Sequence, residues 1–281
     1  MPEREGFPAG VPAWIDSDQP DPEAAAAFYG RLFDWHFENR MPAGSPTYLV
    51  ATLDGRDVAA VGAPLSGAPE TPAWNTYVAV DSADESAAKV RDSGGRVLVD
   101  PFDLGDAGRI AVCADPSGAA FRLWQPGTLK GAQAVNVPGT WNFSELNTRD
   151  IDGATRFYGA VFGWEADVVD MGAMAGTMLR LPGYAEFLER FDPEIRKRHA
   201  DFGAPPGFSE CIGWILPLQA DEMSPHWSVT FTVADTDAVV ARARELGGAV
   251  VVEPYDIAPV RSAVLRDPAG ARFTVNAFNP G

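Results

Sequence analysis

Short runs in which apolar and polar residues alternate, as on a half-buried strand, are followed in this chain by stretches whose apolar residues recur at three and four, as on one helix face. Residues 12–17 and 141–147 are strand-like runs bounded by proline, glycine or aspartate. Each leads to an aspartate, Asp21 or Asp150, placed to cap a helix, and then to a spaced apolar face containing Phe28-Tyr29 or Phe157-Tyr158. Ala24 to Ala27 strengthen the first helix by propensity. Tyr48–Leu53 and Asp57–Gly62 read as strands joined by the Asp54-Gly55 turn. The order then restarts with strand 74–81, a helix from about Asp84 to Ser93, and strands 96–100, 109–114 and 119–125. A strand, a helix and three strands thus occur twice in each half of the chain, four times in all.

The halves also repeat in wording. Asp21 through Phe28, Tyr29, Gly30, Phe33 and Trp35 returns as Asp150 through Phe157, Tyr158, Gly159, Phe162 and Trp164. Trp74, Gly94-Gly95 and Asp115-Pro116-Ser117-Gly118 return as Trp227, Gly247-Gly248 and Asp267-Pro268-Ala269-Gly270. The molecule reads as a duplication whose second copy carries about 24 additional residues between Trp164 and Trp227. The repeated aromatics predict helix-to-sheet packing, the glycine pairs helix ends, and the Asp-Pro segments turns. Arg109 and Arg261, each at the start of a strand, read as bridges to carboxylates or as cavity-rim groups for an anion.

A length of 281 residues suits two ordinary domains, here 1–127 and 139–281 with a linker at 128–138. With 39 acidic against 22 basic residues the net charge is −17, which disfavours nucleic acid and anionic membrane surfaces as partners. No apolar run is long enough to span a bilayer and no signal-peptide pattern precedes one, so the expected compartment is the cytoplasm. Two cysteines, Cys113 and Cys211, build neither a disulfide framework nor a thiolate cluster, and Cys113 in its apolar run reads as a buried thiol.

Taken together, these motifs resemble the vicinal oxygen chelate superfamily of glyoxalases, bleomycin-resistance proteins and dioxygenases, and in particular its tandem glyoxalase-like members found with antibiotic and polyketide pathways. The resemblance covers nearly the whole chain. It implies an α+β fold in which four βαβββ modules form two tandem domains, each a curved mixed sheet around a cavity with helices outside. Members of this superfamily hold a divalent metal and perform isomerase, dioxygenase or thiol-transfer chemistry, or bind antibiotics without metal.

The metal-dependent pattern places His or Glu ligands on the first and last strands of each module. Counted from the helix-starting aspartates and the Asp-Pro turns, those positions hold Trp14, Asn75 and Arg122 in the first copy and Phe143, Ser228 and Thr274 in the second. A tryptophan, a phenylalanine or an arginine offers a cation no lone pair, so no metal and no other cofactor is expected. A set of His226, Glu145 and Asp16 requires the register to slip by one or two residues. Alternation along the strands places Trp14, Asp16, Asn75, Tyr77, Arg122 and Trp124 toward the first cavity. It places Trp141, Phe143, Glu145, Ser228, Thr230, Thr274 and Asn276 toward the second. Each large aromatic among them reads equally as core or as a ligand wall.

The added segment reads as one helix from Tyr184 to His199, or two broken before Pro193, amphipathic through Phe187, Leu188, Phe191 and Ile195. With its glycine-proline flanks, the insertion at about 183–212 serves as a lid or buries its apolar face on the neighbouring domain. The leading functional expectation is metal-independent binding of a planar aromatic, polyketide-like molecule, for antibiotic resistance, sequestration or assistance to a tailoring-enzyme partner, by a monomer or homodimer. The alternative is a glyoxalase-like lyase, isomerase or hydroxylase acting on a small carbonyl compound or polyketide. In that case Glu145 or Asp16 is the base, and Arg122 or Arg109 steadies an oxyanion. A third reading makes the second copy a docking or dimerisation domain.

Overall fold

In a computed structural model the chain is described over residues 6–42, 44–170, 175–218, 224–257 and 259–278. The first unit comprises β1 (Pro12–Asp18), α1 (Pro22–Phe33), β2 (His36–Asn39), β3 (Tyr48–Leu53) and β4 (Arg56–Gly62), and the second β5 (Ala73–Ala79), α2 (Ala83–Asp92), β6 (Arg96–Asp103), β7 (Gly108–Ala114) and β8 (Ala120–Pro126). The third contains β9 (Thr140–Thr148), α3 (Ile151–Phe162), β10 (Glu165–Asp170), β11 (Ala175–Arg180), the inserted helices α4 (Tyr184–Glu189) and α5 (Ile195–Asp201), a 3-10 turn at Phe208–Glu210, and β12 (Cys211–Pro217). The fourth is β13 (His226–Thr232), α6 (Thr236–Glu245), β14 (Ala249–Ile257), β15 (Val260–Arg266) and β16 (Arg272–Phe278). The fold is α+β, with two eight-stranded mixed sheets in two tandem glyoxalase-like domains.

Each sheet follows the same order. In the first it runs β2-β3-β4-β1-β5-β8-β7-β6, and in the second β10-β11-β12-β9-β13-β16-β15-β14. Units one and two join through antiparallel β1 and β5, units three and four through antiparallel β9 and β13. Asp21 and Asp150 cap α1 and α3 as their spacing predicts, accepting from Ala24 N at 3.0 Å and Gly153 N at 2.8 Å.

The helix-bearing sides of the two sheets meet, and this shared face is where the repeated words lie. Tyr29 donates to Asp267 at 2.9 Å and accepts from Trp74 Nε1 at 2.9 Å. Its counterpart Tyr158 donates to Asp115 at 3.2 Å and accepts from Trp227 Nε1 at 2.8 Å. Trp35 Nε1 reaches Gly139 O at 2.7 Å, and Trp164 Nε1 reaches Gly10 O at 2.6 Å. The rings follow the hydrogen bonds, with Phe33 on Phe231 at 4.9 Å and Phe121 on Tyr158 at 5.6 Å between centroids. Residues read as binding each helix to its own sheet therefore also tie each copy to the other.

Candidate functional site

Because alternate side chains point to opposite sides of a strand, the residues of β1, β5 and β8 not used on the shared face converge on the inner face of the first sheet. All seven residues of β1 are buried, on one side or the other. Arg122 Nη1 donates to both oxygens of Asp16 at 2.9 Å and to the Tyr77 hydroxyl at 2.6 Å, while its Nη2 pairs with Asp18. Asp16 also accepts from Asn75 Nδ2 at 3.0 Å, from Tyr48 OH at 3.2 Å and from Tyr77 OH. Trp14 Nε1 donates to Tyr48 at 3.0 Å, and Trp124 closes the group edge-on to Tyr77 with centroids 6.2 Å apart. Burial and the neighbouring Asp16 charge hold the Asp18 carboxyl above its usual range, and burial raises the Tyr77 and Tyr48 hydroxyls well above theirs. Trp14, Asp16, Tyr77, Arg122 and Trp124 are each buried, so this face is filled by its own side chains.

The second sheet keeps the same alternation but leaves its inner face open. Phe143, Glu145 and Asn147 on β9 and Arg272, Thr274 and Asn276 on β16 are partly exposed, whereas the residues between them are buried. Register places Trp214 of β12 and Ser228 of β13 either side of Glu145, and Thr230 between Phe143 and Thr274. Glu145 accepts from Thr230 Oγ1 at 2.7 Å and from Ser228 Oγ at 3.4 Å, and Asn147 Nδ2 donates to Ser228 Oγ at 3.0 Å. Loss of hydration outweighs these hydrogen bonds and pushes the Glu145 carboxyl up to about 8. A carboxyl titrating there serves near neutrality either as a hydrogen-bond donor or as a base.

Of the residues expected on this second face, Phe143, Glu145, Ser228, Thr230, Thr274 and Asn276 lie together on it. Trp141 does not. The β9–β13 register shifts between Thr230 and Phe231, so Trp141 pairs with Phe231 on the shared side and is buried. Asn147 and Phe278 follow from the same alternation and were one step away from the residues singled out. Trp214, Tyr48 and the inserted aromatics carried no comparable signal, since the register of their segments is set by long-range pairing.

Of the two helical readings of the insertion, the structure has the second. Two helices separated around Pro193 form, and Tyr184 and Ala185 of α4 are buried against the core. The segment after α5 turns instead toward the open face, where Phe208 meets Phe143 at 6.1 Å and Phe202 meets Phe278 at 6.0 Å. His199 of α5 lies between Phe202 and Phe208 with Nδ1 2.9 Å from Ser209 Oγ. Burial lowers its imidazole below the usual range.

The remaining motifs resolve as structure. Arg109 bridges Asp84 at 2.8 Å and Asp103 at 3.0 Å, and Arg261 bridges Asp237 at 2.6 Å and Asp256 at 3.1 Å. Cys113 and Cys211 are buried, and burial pushes both thiols up to about 12. His226 sits at the start of β13 with Nδ1 2.9 Å from Ser224 O.

A divalent cation does not fit either inner face. The Arg122 guanidinium stands between the two carboxylates of the first, and the second offers one carboxylate, Glu145, and one imidazole, His226 at the start of β13, among hydroxyls and amides. Among the described residues no three His, Cys, Asp or Glu side chains gather as a metal site requires. Among those residues, too, no helix is long and apolar enough to cross a membrane.

Comparison with known proteins gives the same assignment for both halves. Residues 19–123 match the family model described as Glyoxalase/Bleomycin resistance protein/Dioxygenase superfamily, and residues 144–276 match the Glyoxalase-like domain. CFP32 of Mycobacterium tuberculosis, provisionally named a glyoxylase, is 39% identical over 279 residues, covering 98% of this chain and 97% of that protein. DauV of Streptomyces sp. strain C5, named an anthracycline biosynthesis protein, is 36% identical over 284 residues, covering 96% of this chain and 94% of that one. The Mn(II)-bound glyoxalase from Novosphingobium aromaticivorans superposes with a TM-score of 0.60 over 96% of this chain and 82% of that one. At 14% identity this last likeness is one of fold.

Proposed function

The chain belongs to the glyoxalase/bleomycin resistance protein/dioxygenase superfamily, and from that premise we propose that it binds a planar aromatic, polyketide-like molecule on the inner face of its second sheet without a metal. The observation that carries this reading is the asymmetry between two copies of one scaffold. The first inner face is filled by the Asp16–Arg122–Tyr77 network, whereas the second is open and combines Phe143 and Trp214 with the Glu145–Thr230 pair. Flat apolar walls with a few convergent polar groups suit a flat molecule carrying hydroxyl and carbonyl edges. The anthracycline biosynthesis name of DauV supports the ligand class, and a role in sequestering such a product or presenting it to a tailoring enzyme follows from the same chemistry.

Glu145 favours a second reading in which the face is catalytic. A carboxyl titrating at about 8 removes a proton from a carbon or phenol next to a carbonyl more readily than an ordinary glutamate, as lyase, isomerase or hydroxylase chemistry requires. One experiment separates the two. Tryptophan fluorescence is titrated with a dihydroxyanthraquinone in the wild type, Glu145→Gln, Phe143→Ala and Asn75→Ala. On the binding reading Phe143→Ala weakens the complex by about tenfold. Glu145→Gln, which still donates a hydrogen bond, largely retains binding, and Asn75→Ala on the first sheet leaves it unchanged. Wild-type binding then holds below pH 8 and weakens as pH rises through it, because the donor proton is lost. Turnover that rises through the same pH and disappears in Glu145→Gln replaces this reading with the catalytic one. Absence of binding at micromolar concentrations removes the aromatic ligand altogether.

A further inference from the structure

Phenylalanine occurs sixteen times in the chain, and among the described residues only Phe202 and Phe278 are exposed, at 42% and 55%. They come from distant segments, the turn after the inserted helix α5 and the end of the last strand, yet their rings lie 6.0 Å apart at an angle of 69°. Two aromatic rings brought together by tertiary structure and left in water forfeit the burial that normally accompanies such a contact. Their position gives the reason. Phe278 shares its side of β16 with Asn276 and Thr274, and Thr274 pairs in register with Thr230, the partner of Glu145. Phe278 lies four steps along the strand from Thr274, a distance of about 13 Å. Phe202 is joined through Phe208 to Phe143, with centroids 6.3 and 6.1 Å apart, so the aromatic surface continues from the floor of the face to its mouth.

We propose that Phe202 and Phe278 form a second subsite at the mouth of this face, one that holds the far rings of a fused multi-ring aromatic ligand whose hydrogen-bonding edge lies at Glu145 and Thr230. The inference rests on the binding reading of the second face and adds a selection by length. A single-ring phenol engages the Glu145 end and stops short of the mouth, and a three-ring molecule covers both. The insertion, absent from the first copy, then acts as the specificity element, since it contributes Phe202 and Phe208.

Equilibrium fluorescence titrations with catechol, 5-hydroxy-1,4-naphthoquinone and 1,4-dihydroxyanthraquinone test the subsite in the wild type, Phe202→Ala, Phe278→Thr and the control Val168→Ser, an exposed residue of β10. Both phenylalanines are exposed, and threonine keeps the strand propensity of position 278, so folding is checked by thermal melting before titration. The expected result is affinity that rises with ring number in the wild type and in Val168→Ser. Each phenylalanine variant loses about tenfold for the three-ring probe and stays within about twofold for catechol. An unchanged gain with ring number in both variants overturns the subsite while leaving the Glu145 face intact. Failure of the three-ring probe to bind the wild type overturns the subsite together with the reading it rests on.

Discussion

Arg122 shows how one side chain decides the state of a whole face. Its guanidinium pairs with two buried carboxylates, Asp16 and Asp18, and leans over the Tyr77 ring with Cζ 5.2 Å from the centroid. A buried ion pair contributes little net stability against an apolar replacement, but removing one partner strands the other charge. Arg122→Ala is therefore expected to destabilise the protein by roughly 3–5 kcal/mol in urea unfolding at neutral pH. The loss shrinks on acidification, because the raised Asp18 carboxyl takes up a proton in the folded variant more readily than in the unfolded chain. A loss of stability that stayed constant with pH would show that packing, rather than charge, is what Arg122 supplies. Glu145 is the contrasting residue, since burial outweighs the hydrogen bonds from Thr230 and Ser228, which is why its proton stays on to about pH 8.

At the scale of elements, the glycine pairs end helices and also admit a neighbour. Gly94 and Gly247 adopt the left-handed conformation, at φ +87° and +89°, and the next residue, Gly95 or Gly248, returns a hydrogen bond to Val90 O or Ala243 O at 2.9 Å. A Cβ on Gly95 would lie 2.7 Å from the Phe157 ring of α3 and 2.8 Å from Ala114 O. On Gly248 it would lie 2.9 Å from Arg266 O and 3.2 Å from the Phe28 ring of α1, so only the ring contact is looser. Gly95→Ala should cost about 1–3 kcal/mol in chemical denaturation by overpacking the α3 contact, and Gly248→Ala less. If Gly95→Ala proves neutral, the close approach of α3 does not constrain that position. The helix-end role was legible in the sequence. The second role was not, because the ring that needs the space comes from the other copy.

For the molecule as a whole, the cross-copy pairs Tyr29–Asp267 and Tyr158–Asp115 and the Trp35–Gly139 and Trp164–Gly10 bonds tie the two sheets together. Residues 1–138 or 139–281 alone would leave a buried tyrosine or aspartate without its partner and uncover the aromatic shared face. Neither fragment is expected to show a sharp thermal transition by circular dichroism, whereas the two produced together should regain the single transition of the intact chain. A fragment that unfolds cooperatively by itself near the wild-type temperature would instead make the copies independent domains joined by contact.

Element order, duplication and the α+β class were readable from the chain, because each rests on short periodicities and on words repeated at matching positions. Alternation likewise brought Trp14, Asp16, Tyr77 and Arg122 to one face, and Phe143, Glu145 and Thr230 to another. Two copies with the same alternation nevertheless ended in opposite states, one filled and one open. That difference belongs to tertiary structure. Whether a face closes depends on side chains from several strands finding one another, as Arg122 finds Asp16 and Asp18, and on where the inserted segment carries Phe202 and Phe208. A local pattern chooses the side of a strand, and only long-range pairing decides what stands opposite.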